Sequence, residues 1–270
     1  MSKIKLVAID IDGTLVNSQK EITAAVREAI QASRQKGVKV VITTGRPLSG
    51  AKKYLKELNL DNAADEYVIS FNGAAVETTA GEVIFQKGLN YTDYVDLEAI
   101  ARKLNLHFHA VGLDRIYTAE KDIAPYTLYN SRIVNLGISY RTPAEMKNIK
   151  IIKAMYIDQE EYLDEQIQSP LLKAMQGQVN LSKTEPFYYE ATAAGINKGF
   201  ALKTLTEHLN LSSDQVMAIG DQANDLSMIE YAGVGVAMGN AVEITKAGAD
   251  YVSADCDHDG VAVALNKFID

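Results

Sequence analysis

The chain has 270 residues, 47% hydrophobic and 23% charged, proportions of a folded globular protein that exclude a disordered one. That length accommodates one large domain or two smaller ones. A formal net charge of -8 without any Lys/Arg-rich run predicts no nucleic-acid partner and leaves phosphate chemistry to local groups and a metal.

No stretch reaches the roughly 18 uninterrupted apolar residues of a transmembrane helix, so no membrane partner is predicted. Met1-Ser2-Lys3 leads straight into a strand-like run, which predicts no secretion signal. The single cysteine, Cys256, allows no internal disulfide, in keeping with an expected cytoplasmic location.

Lys5 to Ile9 predicts a buried strand that runs into Asp10-Ile11-Asp12-Gly13-Thr14. Two carboxylates one residue apart at the end of an apolar run are costly, because each raises the other's pKa and desolvation disfavours both charges. A bound cation would offset that cost. A solvated Asp-rich turn is the alternative reading of this stretch alone.

Glu21 to Lys36 carries Ile22, Val26, Ala29 and Ile30 at helical spacing and ends at Gly37, as a capped helix does. Val38 to Thr43 predicts a second strand, the segment after Gly45-Arg46-Pro47 a helix to about Leu58, and Tyr67 to Phe71 a third strand. This βαβαβ order predicts a parallel sheet whose right-handed crossovers bring the strand C-termini to one edge.

From Gln86 to Glu190 the character changes, with most of the tyrosines, a helix over Thr92 to Leu104 and strands near Leu106 to Val111 and Lys150 to Ile157. This stretch predicts a separate α+β domain inserted in the first. After Ala193-Ala194-Gly195 the first pattern resumes, with a helix over Lys198 to Leu209 and a strand over Val216 to Ile219. No internal repeat or low-complexity segment is present.

Strand ends far apart in the chain carry polar groups in the same manner: Asp10 and Asp12, Thr43-Thr44-Gly45, Asn72-Gly73, and Gly220-Asp221-Gln222-Ala223-Asn224-Asp225. Each alone is ordinary turn or capping chemistry. Open α/β sheets bind ligands beyond their strand C-termini, so together these ends predict one crevice.

The ordered set Asp10-Ile11-Asp12-Gly13-Thr14, Thr44-Gly45, Lys198 and Gly220-Asp221-Gln222-Ala223-Asn224-Asp225 resembles the haloacid dehalogenase (HAD) superfamily of phosphotransferases. More narrowly it resembles the Cof-type sugar phosphatases, which insert a C2-type cap after the third core strand. The resemblance covers the full length, with its specific residues in the core segments and the insert matching in position and size. It implies an α/β fold: a Rossmann-like parallel-sheet core with helices on both faces over residues 1–85 and 191–270, and an α+β cap over 86–190. The cap is expected to close over the core and to choose the substrate.

The resemblance implies Asp10 as the nucleophile that forms an aspartyl-phosphate, and Asp12 as the group that protonates the leaving alkoxide and later activates water. The superfamily's ATPases carry Thr at the position of Asp12, which favours a phosphatase here. Thr44 and the backbone N–H groups of Gly45 and Ile11 are implied to bind the phosphoryl oxygens, with Asn224 hydrogen-bonded to the phosphate and Lys198 facing Asp10 and the developing charge. Mg²⁺ is the implied cofactor, held by the Asp10 and Asp221 carboxylates and the Asp12 backbone carbonyl, with Asp225 orienting a metal-bound water or Lys198.

The function implied is Mg²⁺-dependent hydrolysis of a small phosphate ester, a sugar phosphate above all. The alternatives are a phosphomutase of the same superfamily and a phosphorylatable switch or phosphate-binding module; known receiver switches are shorter and lack the insert. Other features are read as structural. Asp255-Cys256-Asp257-His258-Asp259 lacks the usual zinc donors and predicts a polar loop. Gly233-Val234-Gly235-Val236-Ala237-Met238-Gly239 departs from nucleotide-loop spacing and predicts a strand with a turn. Asn90-Tyr91-Thr92 and Asn180-Leu181-Ser182 fit a sequon that a cytoplasmic chain does not use. His107 and His109 share a strand face and are expected to be packed or solvated.

Overall fold

The computed structural model describes residues 3–269. They form two compact units, one holding the chain up to Phe85 and again from Asn197, the other Gln86–Ile196.

In the first unit Leu6–Asp10 lies between Val216–Gly220 and Lys39–Thr43, parallel to both. The eight-stranded order is Tyr251–Val252, Val234–Ala237, Val216–Gly220, Leu6–Asp10, Lys39–Thr43, Tyr67–Ser70, Ala75–Thr78 and Val83–Gln86. The chain moves outward in one direction from Leu6–Asp10 and in the other from Val216–Gly220. Their junction is therefore the topological switch point, where open α/β sheets place ligands. Register completes the placement, pairing Asp10 with Thr43 and Ile9 with Ile219.

Alternation along the strands sends successive side chains to opposite faces. Val7, Ile9, Val40 and Ile42 pack on one face with Val26 and Ile30, Leu55 and Leu265 from three helices. Leu6, Ala8, Val41 and Ala218 pack on the other with Ala201, Leu202 and Leu205 of the helix Lys198–His208, and with Met228. Two apolar layers thus hold the strand ends in fixed register.

The second unit is built on a six-stranded sheet ordered Val179–Glu185, Tyr188–Ala193, Lys153–Ile157, His107–Val111, Arg115–Thr118 and Gly137–Tyr140. All its pairings are antiparallel except the last. Its own core joins Tyr94 and Leu97 of the helix Tyr91–Lys103 to Phe108, Ala154, Tyr156 and Ala191. This unit extends beyond the expected boundary at 190. Tyr188–Ala193 is hydrogen-bonded along both sides as far as Thr192 or Ala193, which keeps 191–196 with the insert. Ala193 is the last residue of that strand, and Ala194-Gly195 follow it.

The third core strand stops at Ser70, since Phe71 turns to φ 52. Among the described residues no helix is long and apolar enough to cross a membrane. Gly233 to Gly239 forms the parallel strand Val234–Ala237 with its flanking turns, and Cys256–His258 is a short turn in which His258 Nδ1 pairs with Asp255 at 2.7 Å.

Within the insert His109 is fully buried, its Nδ1 3.0 Å from the Thr127 hydroxyl and its Nε2 3.2 Å from Met155 Sδ. Burial, aided by the Lys153 charge, pushes its pKa down to about 3. His107 is more exposed and pairs with Glu120 at 2.9 Å. The unfolded chain binds a proton at His109 near its ordinary value and the native state does not, so stability falls as pH drops below the mid-sixes. We expect wild type to lose up to about 1.4 kcal/mol per pH unit relative to His109→Gln between pH 6 and 4.5. Denaturant titrations of both proteins across that range check it; parallel pH dependences would contradict it.

Candidate active site

Asp10 ends its strand and Lys198 begins the helix Lys198–His208, so backbone geometry alone fixes both groups at the switch point. Asn197 caps that helix by accepting the Phe200 N–H at 2.8 Å. Lys198, 1% exposed, donates to Asp10 Oδ1 and Asp225 Oδ1, each at 2.5 Å. Asp225 in turn accepts the backbone N–H groups of Asp221 and Gln222 through Oδ2, at 2.9 and 3.0 Å.

Asp221 follows directly after the strand Val216–Gly220 and is held from several sides. The Thr14 hydroxyl donates to its Oδ1 at 2.9 Å, and Gln222 and Asn240 amides donate to Oδ2 at 3.1 and 3.5 Å. Asn240 also donates to the Gly13 carbonyl at 2.9 Å and accepts the Cys256 N–H at 3.0 Å, tying this corner to the C-terminal loop. Gly13 has φ +76, and a Cβ there would lie 2.4 Å from Asp221 Oδ2. Only glycine suits both the left-handed turn and that close approach.

Carboxylate oxygens of Asp10, Asp221 and Asp225 lie within 4.8 Å of one another, and all three residues are buried. Burial is the largest influence on Asp10, and with the like charges of Asp225 and Asp221 it raises the pKa against the pull of Lys198. Burial likewise raises Asp221, opposed by the hydrogen bonds from Thr14 and Gln222. Burial disfavours charge on Lys198 too, but Asp10 and Asp225 overcome it and hold the ammonium above the ordinary lysine value. Three carboxylates facing one ammonium leave an excess of two negative charges in a buried place. That excess, carried on hard oxygen donors, fits a divalent cation such as Mg²⁺. Asp225 has both oxygens engaged, whereas Asp10 Oδ2 accepts no hydrogen bond among the described residues.

Asp12 is placed differently. Its carboxylate is turned to Arg46, which donates from Nε and a terminal nitrogen at 3.1 and 2.8 Å, and to Lys20 at 2.9 Å. Burial works against its charge, but Lys20 and Arg46 overcome it and keep the pKa below the ordinary carboxylate value. Ile11 sends its side chain into the core, so only its backbone can face a ligand.

Thr44 is buried, with its N–H on the Ile69 carbonyl at 2.9 Å and its Oγ1 accepting the Arg46 N–H at 3.1 Å, which leaves the hydroxyl proton to donate. Asn224 is exposed on the loop beyond Asp221 and donates to Asn72 Oδ1 at 3.0 Å. The structure thus gathers Asp10, Lys198, Asp221 and Asp225 directly, and joins Thr44, Gly45 and Asn224 through Asn72.

Sequence reasoning passed over Arg46, Lys20 and Asn240, and it placed Asn72, Thr14 and Gln222 in the crevice or its motifs without giving them a role. Arg46 and Asn72 had a readable signal, since each stands beside a polar strand end. Lys20 and Asn240 had none, because only the fold brings them near.

A family model described as haloacid dehalogenase-like hydrolase matches residues 7–265. This chain belongs to the haloacid dehalogenase-like hydrolase family. The hydrolase is 41% identical over 267 residues to a provisionally named phosphatase of Streptococcus pyogenes, with 98% of each chain covered. It is 31% identical over 269 residues to YcsE of Bacillus subtilis, named as a 5-amino-6-(5-phospho-D-ribitylamino)uracil phosphatase, covering 98% of this chain and 96% of that one. Among solved structures, a haloacid dehalogenase-like hydrolase from Bacteroides thetaiotaomicron matches with a TM-score of 0.84 at 32% identity, covering 98% of this chain and 99% of that one. The HAD subclass IIB sugar phosphatase BT4131 matches with a TM-score of 0.77 at 29% identity, covering 98% of both chains. The resemblance drawn from the ordered motifs and the α/β fold it implied are borne out, and the hydrolase is a phosphatase. A phosphomutase is not favoured, because the relatives carry phosphatase names.

Proposed function

We propose that the enzyme is a Mg²⁺-dependent phosphatase of small phosphorylated metabolites, sugar phosphates above all, working through a phosphoryl group carried on Asp10. The observation that carries this reading is the buried Asp10–Lys198–Asp225 chain beside Asp221 at the switch point. Phosphorylated sugars and sugar alcohols are favoured because one relative is named for a phosphoribityl substrate and one solved neighbour as a sugar phosphatase.

In the first half-reaction an Asp10 oxygen attacks phosphorus, the P–O bond to the substrate breaks, and Asp12 gives its proton to the departing alkoxide. In the second, Asp12 takes a proton from water, the water oxygen attacks phosphorus, and phosphate leaves with Asp10 restored. The Thr44 hydroxyl, the Gly45 and Ile11 N–H groups, Asn224 and the Lys198 ammonium bind the phosphoryl oxygens as charge develops. Mg²⁺, held by the Asp10 and Asp221 carboxylates and the Asp12 carbonyl, would supply charge neutralisation of the phosphoryl oxygens when bound. Asp225 fixes Lys198 and stands outside this ligand set. Every group assigned to the chemistry lies outside 86–196, so we assign substrate choice to the insert, and cytoplasmic metabolites as its range.

Asp12 must hold a proton to act as an acid, yet Lys20 and Arg46 keep it ionised where it stands. Release from these cations is therefore a condition of the first step. Arg46→Gln removes a group that lowers the pKa of Asp12, so the alkaline limb of the kcat/KM profile is expected to move to higher pH. An unmoved limb would separate Arg46 from the acid.

A phosphate-release screen over sugar phosphates, nucleotides and other phosphorylated metabolites, with and without Mg²⁺, tests the function. Turnover confined to Mg²⁺ and highest on sugar phosphates supports it. Turnover unaffected by chelation, or highest on nucleotides, would overturn the metal or the substrate class. An isomeric sugar phosphate formed in place of free phosphate would restore the mutase reading.

A further inference from the structure

The strand Tyr67–Ser70 ends in three successive residues of the left-handed region, Phe71 at φ 52, Asn72 at 56 and Gly73 at 96. Two of these carry side chains; such backbone is costly for Phe71 and tolerated by Asn72, as at Asn59 and Asn210. The turn is held in place by its neighbours. Phe71 donates its N–H to the Arg46 carbonyl at 3.0 Å and Asn72 donates to the Thr44 carbonyl at 2.9 Å. Gly73 lies so close to the start of the Lys198 helix that a Cβ there would stand 2.2 Å from the Asn197 carbonyl oxygen. The turn therefore braces the Thr44–Arg46 loop on one side and the Lys198 helix on the other.

The Asn72 side chain adds something the turn does not need. Asparagine commonly takes this backbone, so what sets Asn72 apart from the other left-handed asparagines is what its amide touches. Asn72 Oδ1 accepts the Asn224 amide at 3.0 Å, reaching across 152 positions of sequence. The same amide lies 3.2 Å from where a Gly45 Cβ would stand, so it packs on the bare face of Gly45. Its Nδ2 makes no hydrogen bond among the described residues. Asn224 is otherwise an exposed side chain on a loop, free to sample several rotamers.

We propose that Asn72 is a positioning residue for the phosphate: its own amide packs on Gly45 and fixes the rotamer of Asn224 before substrate arrives. The inference rests on the assignment of Asn224 and Gly45 to phosphate binding made above. Holding a donor in place ahead of binding removes the ordering cost from the binding step, so the effect belongs in phosphate affinity more than in the chemical step.

The test is a double-mutant cycle of Asn72→Gly and Asn224→Ala, reading KM, kcat and the inhibition constant of inorganic phosphate. Glycine accepts the left-handed backbone, so Asn72→Gly removes the amide while keeping the turn, and its melting temperature is expected to match or exceed wild type. Asn72→Gly should raise KM and the phosphate inhibition constant about tenfold with a smaller change in kcat. In the Asn224→Ala background it should add less than about twofold, because the group it positions is gone. Unchanged phosphate affinity in Asn72→Gly, or losses that multiply in the double variant, would overturn the proposal while leaving Asn224 as a phosphate ligand. Unchanged phosphate affinity in Asn224→Ala would overturn the underlying assignment as well, and the cycle separates these outcomes.

Discussion

Asp10→Asn is expected to lower turnover by about 10⁴-fold or more while leaving the chain folded. The substitution removes the attacking oxygen and one carboxylate of the buried set together. It also relieves repulsion with Asp221 and Asp225, so without metal the variant should unfold no earlier than wild type. Lys198 keeps Asp225 as its partner, which spares the cation from being stranded. Rate measurements on freshly prepared protein, before deamidation can regenerate aspartate, check the prediction. Near-native phosphate release under those conditions would remove Asp10 as nucleophile.

Lys198→Met should cost both stability and activity. Removing one partner of a buried ionic cluster leaves the remaining charges unpaired, a loss of about 3–5 kcal/mol. The sign of its pH dependence follows from the carboxylates. Without the ammonium, the Asp10 carboxyl, which burial already holds above its unfolded value, rises further, so at higher pH the native variant keeps a proton that the unfolded chain gives up. The deficit against wild type should therefore be largest near pH 8 and shrink towards pH 5, and millimolar Mg²⁺ should offset part of it. Urea titrations at both pH values measure this. A deficit independent of pH and of Mg²⁺ would mean that lost packing, and not charge, explains the variant.

The core was legible because its residues break the rules of ordinary strands. Asp10 and Asp12 after Leu6 to Ile9, and Asp221 after Val216 to Gly220, put charge where an apolar run meets a turn, and parallel βα units bring such ends to one edge. Lys198 was legible only within that ordered set, since a lysine at a helix start otherwise reads as solvated. Arg46 stands beside the polar strand end Thr43-Thr44-Gly45, but with Pro47 next to it the segment reads as the approach to a helix, while the Arg46 side chain reaches back to Asp12. Asn72-Gly73 reads as ordinary turn chemistry, which did not reveal the antiparallel strand Ala75–Thr78 that the turn joins to Tyr67–Ser70. Its second use depends on Asn224, which no local pattern connects to it.

The insert was less legible for a different reason. Arg115–Thr118 and Gly137–Tyr140 are four residues long and pair in parallel across the helix Pro125–Val134, so neither shows enough alternation to be read as a strand. Its boundary slipped by six residues because small residues near a crossing look alike on either side of it. The burial of His109 depends on Thr127 and Met155 from other elements, and its own strand does not reveal it.

In the proposed reaction the phosphoryl group passes through Asp10. Rapid acid quench of the enzyme during a single turnover with a sugar phosphate, followed by peptide mass mapping, tests it most directly. One phosphoryl group is expected on the peptide that spans Leu6 to Leu15, located at Asp10 and absent from Asp10→Asn. A phosphoryl group on any other residue, or product formed in a burst while Asp10 stays unmodified at every quench time, would contradict it.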